Sequence, residues 1–307
     1  MKCSRGGRVK LYAALITLSL IWGMSFMFIK LLLPALGPWG VVFWRCFFGA
    51  VTLLVTITAR KQFYYIKKLP WKSLMLVGIF NALIPWGLIA VSELRISSSM
   101  AATMNATTPI WTSLIGFLFF SVSLKAKHWT GIFVGFIGIL FLLNFNVQSI
   151  FTEDFIGIGT MLGATICYGF ASQYTRRYLK DVPVSIIAFF TLLFGMAGGF
   201  TLMLVTDGFS AEVFFSPKSF LSMIGLGVLG SGIAYLLFYY MIKEGSAEFA
   251  SFVTYLVPVT ALLWGSMLLN EELSSNLIVG LVLIFSGVYL STRRTPKVRE
   301  RESVQSL

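Results

Sequence analysis

The sequence predicts an all-α integral membrane protein with ten transmembrane helices arranged as two inverted five-helix repeats. Three observations lead to this fold class: the composition is too apolar for a soluble chain, ten apolar segments could each cross a bilayer, and the second half of the chain repeats the first. Of the 307 residues, 57% are hydrophobic and only 12% are charged, and the mean hydropathy is +0.85. Soluble domains carry about 25% charged residues, so lipid is the expected solvent.

Each predicted span is an apolar segment of about 20 residues, the length that crosses the ~30 Å hydrocarbon core as a helix. The ten segments are 11–33, 38–58, 71–92, 98–121, 127–145, 155–177, 183–206, 218–241, 246–269 and 275–292. The first follows basic residues, as the core of a signal peptide does, but it is longer than the roughly 7–15 residues of such a core and lacks a small-residue cleavage site. We therefore expect it to remain as a membrane helix, with residues 1–10 and 293–307 as tails.

The basic residues predict the orientation of the chain. If the N-terminus is cytoplasmic, the cytoplasmic tails and connections hold twenty of the 24 Lys and Arg residues, whereas the outer connections hold only Arg95 and Lys218. Lys30 and Arg45 lie within spans. An excess of Lys and Arg on the cytoplasmic side is typical of multi-pass proteins. We expect a protein of the cell membrane, plasma or inner, with both termini in the cytoplasm.

From Gly78 to Gly138 a shift of 149 residues aligns the first half of the chain, 11–145, with the second, 155–292, and earlier in the chain the shift is 146, where Ile21–Gly23 face Cys167–Gly169. The shift pairs Pro109 with Pro258, and it also pairs Gly78/Gly227, Ser97/Ser246, Ala101/Ala250, Gly116/Gly265, Gly131/Gly280 and Gly138/Gly287. Because each repeat holds an odd number of helices, the second must enter the membrane from the opposite side. Inverted halves are typical of carriers that open a central cavity to one side of the membrane and then to the other.

The chain resembles the EamA-like family of the drug/metabolite transporter superfamily over nearly its whole length, 11–292. The resemblance is carried by five stretches: Leu20–Phe26, Phe43–Arg45, Ala101–Pro109, Ala250–Pro258 and Asn270–Glu272. It implies a permease for small metabolites, often amino acids or related solutes and commonly in the export direction. The acidic pair Glu271–Glu272 has no acidic counterpart in the first repeat, where Val122–Ser123 stand.

The reactive side chains argue against an enzyme. The sole histidine, His128, stands at a predicted helix start, and no Asp or Glu lies deep within a predicted span. Hydrolytic or metal chemistry needs positioned carboxylates, histidines or an activated nucleophile. The basic residues lie in short runs rather than on one folded face, which argues against nucleic acid. We expect no catalytic residue, metal or cofactor and no nucleic-acid partner, and we expect a small-molecule solute and membrane lipid as partners.

Arg45 is the most informative charge, because it lies roughly 10 Å along the second span if that span begins at Pro38. An ionisable residue inside the membrane marks a functional site or a structural lock. One interpretation is contact with the solute, with carbonyls or water as other partners; the alternative is a side chain that snorkels to the outer surface and fastens neighbouring helices. Lys30 lies three residues from the end of its span and is expected to snorkel.

The other candidate solute contacts are aromatic, amide and hydroxyl side chains within spans. The repeat pairs Trp22 with Tyr168 and Trp86 with Tyr235, and the remaining candidates are Ser25, Asn81, Asn105, Gln173 and Tyr239. Solute cavities are mostly apolar and aromatic, with a few polar groups that orient the ligand. Helix-to-helix packing is the alternative for each of these residues.

Two kinds of residue predict moving or associating parts. Pro109 and Pro258 lie near the middle of spans four and nine and are candidate hinges, because proline interrupts the helical hydrogen bonds. Three glycine pairs have the small-x-x-x-small spacing that lets helices approach closely: Gly131/Gly135, Gly159/Gly163 and Gly195/Gly199. A homodimer formed through one of these pairs is a hypothesis.

Two other functions stay open at this point. A structural or signalling module without transport is one, although a static scaffold gains little from inverted halves. A nucleotide-sugar or phosphorylated-sugar carrier is the other, but it would be expected to hold several intramembrane Lys or Arg residues, whereas this chain offers chiefly Arg45. Because no acid lies deep in a predicted span, we expect facilitated flux or exchange rather than proton-coupled transport.

Overall fold

A computed structural model describes residues 5–59, 69–142, 153–209, 214–244, 249–250 and 252–292. The helices of this part of the chain are α1 Arg5–Ala59, α2 Trp71–Glu93, α3 Ser98–Asn105, α4 Thr108–Phe120, α5 Ala126–Leu142, α6 Glu153–Tyr178, α7 Val184–Asp207, α8 Pro217–Glu244, α9 Val253–Leu269 and α10 Ser275–Thr292. The described residues contain no β-strand, so they form the all-α fold that the sequence predicts.

Five helices are both long and apolar enough to cross a membrane: Val9–Ala59, Trp71–Glu93, Phe155–Tyr178, Val184–Asp207 and Pro217–Glu244. The apolar parts of α5, α9 and α10 are shorter, at 10–17 residues. The chain is therefore a multi-pass membrane protein by the length and composition of its helices. The count of ten spans stays a prediction.

Helix α1 folds back on itself at Gly37, which has φ 64° and ψ 175°. This conformation costs glycine little because it has no Cβ atom. Trp22 and Arg45, on either side of the bend, donate hydrogen bonds to the adjacent residues Gly230 and Ser231 of α8. A straight helix would separate Trp22 and Arg45 by about 35 Å. The part before Gly37, called α1N, and the part after it, called α1C, therefore lie side by side, as the predicted spans 11–33 and 38–58 require.

The two halves of the chain pack against each other through matched glycine contacts. Helix α1N packs on α9, where a Cβ atom added to Gly23 would lie 2.8 Å from the backbone nitrogen of Ala261. Helix α6 packs on α4, where a Cβ atom added to Gly169 would lie 2.9 Å from the backbone nitrogen of Thr112. Ala261 and Thr112 are 149 positions apart. Each contact leaves no room for a side chain, so glycine permits the close approach.

Helices α5 and α10 cross at two further glycine contacts. A Cβ atom added to Gly138 would lie 2.9 Å from the carbonyl oxygen of Gly280, and one added to Gly287 would lie 2.5 Å from that of Gly131. The order of these contacts along the two helices makes the pair antiparallel. The shift of 149 that relates Gly131 to Gly280 also relates Gly138 to Gly287. Helices α5 and α10 therefore contribute glycines from equivalent positions of the repeat to the crossing.

Two of the glycine pairs considered for a homodimer are used inside the chain instead. Gly195 packs against Cys46 and Ala82, and Gly135 packs against Ile110. Close helix contacts within one bundle need small residues for the same reason that dimers do. The pair Gly159/Gly163 is different, because a Cβ atom added to Gly159 would meet nothing within 4 Å.

The span predicted over 98–121 is interrupted rather than kinked. Helix α3 ends at Asn105 and α4 begins at Thr108, so Pro109 lies in the first turn of a new helix. A proline there needs no hydrogen-bond partner for its nitrogen. Pro109 therefore follows a break in the predicted span, and its role as a hinge stays a prediction. Pro258, in contrast, lies inside the continuous helix α9.

Helices α2 and α8 each contain a π-helical segment, at Ile79–Leu83 and Gly225–Ile233 respectively. The hydrogen bonds of a π-helix skip one more residue than those of an α-helix, which turns the following side chains toward a different side. Such segments are rare and frequently occur at functional sites. Nothing in the apolar sequence of either helix predicts them.

Candidate functional site

A cavity of about 470 Å³ lies between the two halves of the chain. Its wall contains residues of α1, α2, α3, α4, α6, α7, α8 and α9. The volume falls within the range of small-molecule sites, roughly 300–1,000 Å³. Eight of the ten predicted solute contacts line this cavity: Trp22, Ser25, Arg45, Asn81, Trp86, Asn105, Tyr168 and Tyr235.

Arg45 is turned into the cavity and is 8% exposed. Its Nε atom donates a hydrogen bond to Ser231 Oγ at 3.0 Å, and its Cζ atom lies 3.8 Å from the centroid of the Trp86 ring. A guanidinium over an indole face gains a cation–π attraction. The side chain therefore does not snorkel to the surface. Ser231 belongs to the π-helical segment of α8, which brings its hydroxyl to this position.

Aromatic rings from both halves form the apolar part of the wall. The Trp22 indole donates from Nε1 to the Gly230 carbonyl oxygen at 3.1 Å. Its ring meets Tyr235 edge-on, with centroids 6.5 Å apart, and Phe238 at 5.6 Å. The hydrogen bond and the ring contacts fix the indole, so it presents a defined apolar surface to the cavity.

Two polar atoms of the residues that line the cavity have no partner within the described part of the chain. Asn105 Oδ1 and Thr191 Oγ1 are buried without a hydrogen bond, and Asn105 is the last residue of α3. Buried polar groups in proteins almost always have partners. Because both atoms are also sealed from solvent in this state, they could bind the polar groups of a solute only after a side-chain rearrangement.

Two of the ten predicted solute contacts, Gln173 and Tyr239, are not among the described residues that line the cavity. The Gln173 amide donates from Nε2 to the Thr112 carbonyl oxygen at 2.9 Å, so this side chain joins α6 to α4. This is the helix-to-helix alternative considered for each candidate, and a solute contact of Gln173 stays a prediction. The side chain of Tyr239 lies outside the described residues. Of the two hinge candidates, Pro258 lines the cavity and Pro109 does not.

The structure adds hydroxyl-bearing residues that the sequence analysis did not select. These wall residues are Thr108, Ser172, Thr175, Thr191 and Thr254. Serine and threonine are common at helix contacts, so their presence in a span carries no specific signal. Among the described residues, no group of three or more His, Cys, Asp or Glu side chains could hold a metal ion.

One end of the bundle is closed by two carboxylates of the second half. At this closed end, Asp207 Oδ2 accepts hydrogen bonds from the backbone nitrogens of Trp39 at 2.6 Å and Gly40 at 3.1 Å. Glu271 accepts from the backbone nitrogens of Ser98 at 2.7 Å and Ser99 at 2.9 Å. Each carboxylate therefore caps the first turn of a helix in the first half, α1C or α3, where the helix dipole favours negative charge.

The pKa of Glu271 is lowered from its ordinary value. Its half-burial acts in the opposite direction and would raise the pKa, but hydrogen bonds from Ser99 and Ser98 to the ionised form outweigh that effect. The carboxylate is consequently charged at neutral pH, which is the form that caps α3.

The closed end also holds a buried carboxyl group that the sequence analysis did not expect. Glu93 is fully buried, and neither oxygen of its carboxyl group has a hydrogen-bond partner in the described part of the chain. Lys30 Nζ donates to the backbone carbonyl of Glu93 and, at 2.9 Å, to that of Ile96. Lys30 thus binds the carbonyls that end α2 instead of snorkelling. Glu93 is the last residue of α2, so it lies at the end of a span as the sequence predicts, but its carboxyl group is buried.

At the opposite end, the cavity reaches the surface of the protein. Its lining includes Ser172 and Thr175 near the end of α6 and Val184 at the start of α7. Ser172 is exposed and Val184 is 44% exposed. We call this the open end, because exposed residues are part of the cavity wall only here.

Comparisons with known proteins agree with this architecture. The chain is 23% identical over 288 residues to the "Uncharacterized transporter YoaV" of Bacillus subtilis, covering 92% of this chain and 97% of that protein. It is 27% identical over 293 residues to the "Uncharacterized inner membrane transporter YedA" of Escherichia coli K12, covering 91% and 92%. A crystal structure with 19% sequence identity superposes with a TM-score of 0.64 over 92% of this chain and 96% of the other, which shows a shared fold.

The sequence profile of the EamA-like transporter family matches residues 9–144 and again residues 155–293. Together these matches cover most of the chain, and they include the helices that form the cavity. The described helices, the cavity between the two halves and this match all agree with the resemblance noted from the sequence motifs. The chain belongs to the EamA-like transporter family.

Proposed function

We propose that this protein is a permease that moves small organic solutes across the cell membrane by alternating access. The observation that carries the proposal is the cavity of about 470 Å³ between the two halves, which reaches the surface at one end and is sealed at the other. A carrier of this kind must expose one site to each side of the membrane in turn. A cavity with one sealed end corresponds to one of those two states.

The repeat supports this mechanism. The family profile matches the chain twice, and the contacts of Gly23 and Gly169 and the α5–α10 crossing relate the halves by shifts of 146 to 149 residues. Inverted halves can exchange their conformations, so that the end that is open in one state becomes closed in the other. Helices α1C and α3, whose first turns are capped by carboxylates of the second half, are the elements that would separate when the closed end opens.

The orientation proposed from the basic residues places the open end at the cytoplasm. In the ten-span arrangement the α6–α7 connection lies inside and the α9–α10 connection lies outside. A reporter enzyme that is active only outside the cytoplasm, fused after Leu307, should then be inactive, whereas a fluorescent protein at the same position should be fluorescent. The reverse pattern would contradict both the ten spans and the cytoplasmic termini.

Transport is tested by metabolite profiling of the medium from cells that lack or overproduce the protein. We expect at least one small solute to change in opposite directions in the two strains. Substitution Ser172→Trp should reduce this change by narrowing the open end, since Ser172 is exposed and lines the cavity. Tyr178→Trp is the matched control, because Tyr178 is 51% exposed on the same helix and does not line the cavity. Identical media from all strains would contradict the proposal.

A further inference from the structure

Among the described residues, two side chains hold the guanidinium group of Arg45. Ser231 accepts a hydrogen bond from Nε, and the Trp86 ring covers one face of the group. Within the described residues, no acceptor contacts either terminal nitrogen, Nη1 or Nη2, and neither atom is among the polar atoms sealed from solvent without a partner. Since Arg45 lines the cavity, the N–H groups of these two nitrogens are available to a solute.

The wall of the cavity carries one positive charge that no carboxylate of the wall balances. Among the described residues that line it, Arg45 is the one charged side chain. Glu93 is buried nearby but does not line the cavity, and Lys30 lies beside it at its backbone carbonyl. Of these groups only Arg45 lines the cavity. A charge that faces a cavity inside the membrane without a carboxylate of the wall beside it is costly, so an anionic solute is favoured over a neutral or cationic one.

The geometry around Arg45 also selects the shape of the anion. A guanidinium presents its N–H groups as a planar fork that matches the two oxygens of a carboxylate. Ser231 and Trp86 fix the position and plane of this fork before a solute binds, which reduces the entropy lost on binding. The rings of Trp22 and Phe238 provide an apolar surface next to it.

We infer that the solute is a small organic monoanion whose carboxylate, or a similar planar oxyanion, binds the Nη1 and Nη2 edge of Arg45 while its apolar body packs on the aromatic wall. This inference rests on the proposed permease function and names the substrate class of the same cavity. A single cation fits a single negative charge, and it disfavours nucleotide sugars and phosphorylated sugars, which carry two or more.

The test measures binding rather than transport. Purified protein is titrated with three probes of nearly equal shape that differ in charge: phenylacetate, phenylacetamide and phenethylammonium. Acetate and 2-naphthylacetate, each paired with its own amide, extend the series in size. Binding is followed by the fluorescence of the cavity tryptophans and by thermal stabilisation. We expect at least one carboxylate to bind about tenfold or more tightly than its amide, because a charge-assisted hydrogen bond is replaced by a neutral one.

Variants assign the preference to Arg45. Arg45→Gln should remove the difference between a carboxylate and its amide, and Arg45→Lys should reduce it by losing the planar fork. Lys30→Met is the matched control, because it removes a positive charge from the same end of the bundle without changing the cavity wall. This control should keep the preference for the carboxylate. The charge series on the unmodified protein tests the inference even if the Arg45 variants do not fold.

The outcomes separate this inference from the proposed function. If no carboxylate of the series binds more tightly than its own amide, the inference is overturned, whereas metabolite profiling can still support a permease. If the carboxylates bind through Arg45 but no solute changes in the medium, the anion site stands and the transport function fails. Retention of the full preference by Arg45→Gln would also overturn the inference.

Discussion

The two ends of the cavity are built from different interactions. At the closed end, the carboxylates of Asp207 and Glu271 bind the first turns of helices in the other half of the chain. At the open end, the described wall residues are neutral, and Ser172 and Val184 are exposed. Among the described residues, the charged hydrogen bonds of the cavity ends therefore lie at one end only. If the protein alternates between two states as proposed, we expect the state with the Asp207 and Glu271 end sealed to be the more stable one in the absence of solute.

The largest effect is expected from removing both carboxylates of the closed end. Each Ala substitution at a capping position costs about 0.5–2 kcal/mol, and distant sites add, so Asp207→Ala with Glu271→Ala should weaken the seal by roughly 1–4 kcal/mol. A cysteine introduced as Ser25→Cys in the cavity wall reports the change. Its labelling by a membrane-impermeant maleimide from the closed side should rise from near zero in the double variant. Unchanged labelling would mean that packing alone seals this end.

Acidification should produce a smaller, pH-dependent opening. The pKa of Glu271 in the protein is lower than its ordinary value of 4.5, so its contribution is complete above that value and is lost as the pH falls through the lowered pKa. Labelling of Ser25→Cys from the closed side should be constant at neutral and mildly acidic pH and increase only at pH values below 4.5. When Glu271→Gln is added, the part of this increase in labelling that comes from protonation of Glu271 should disappear. An increase near pH 6 would point to a different titrating group.

Lys30→Met is expected to lower stability more modestly. The substitution removes the donor for the backbone carbonyls of Glu93 and Ile96, and an unpaired buried acceptor costs about 1–3 kcal/mol, with part recovered by packing of the Met side chain. The midpoint of thermal unfolding in detergent should fall. Lys218→Met is the control, because Lys218 is exposed at the start of α8, and it should leave the midpoint unchanged.

The smallest effect is expected at the open end. Ser172→Ala changes an exposed residue of the cavity wall, and exposed substitutions of this kind usually change stability by less than about 0.5 kcal/mol. Labelling of Ser25→Cys from the open side should remain as high as in the parent protein. A marked fall in that labelling would show that Ser172 takes part in holding this end open.

The parts of the site that could be predicted from the sequence are those that the repeat identifies. Trp22 and Tyr168 occupy matching positions, as do Trp86 and Tyr235, and all four line the cavity. Arg45 could be predicted because a charged side chain inside a span has a high free-energy cost, and such residues usually have a functional or structural role. The fold-back at Gly37 follows from two adjacent apolar segments with glycine and proline between them.

The remaining parts depend on tertiary contacts that leave no local signal. Ser231 reaches Arg45 from a π-helical segment, whose shifted register no apolar pattern reveals. Asp207 and Glu271 look like ordinary charged residues at helix ends until the helices they cap are placed beside them. Gln173 shows the opposite case, since the same amide could face a cavity or a neighbouring helix and only packing decides between them.

The glycine crossing of α5 and α10 has a consequence for the order in which the protein is made. Helix α10 is the last described helix to leave the ribosome. It packs on the side of α5 that carries Gly131 and Gly138. Until synthesis reaches α10, this face of α5 must be covered by lipid or by an insertion factor. A chain that terminates before Ser275 would therefore leave the first half of the protein without its final partner, although every residue of that half is present.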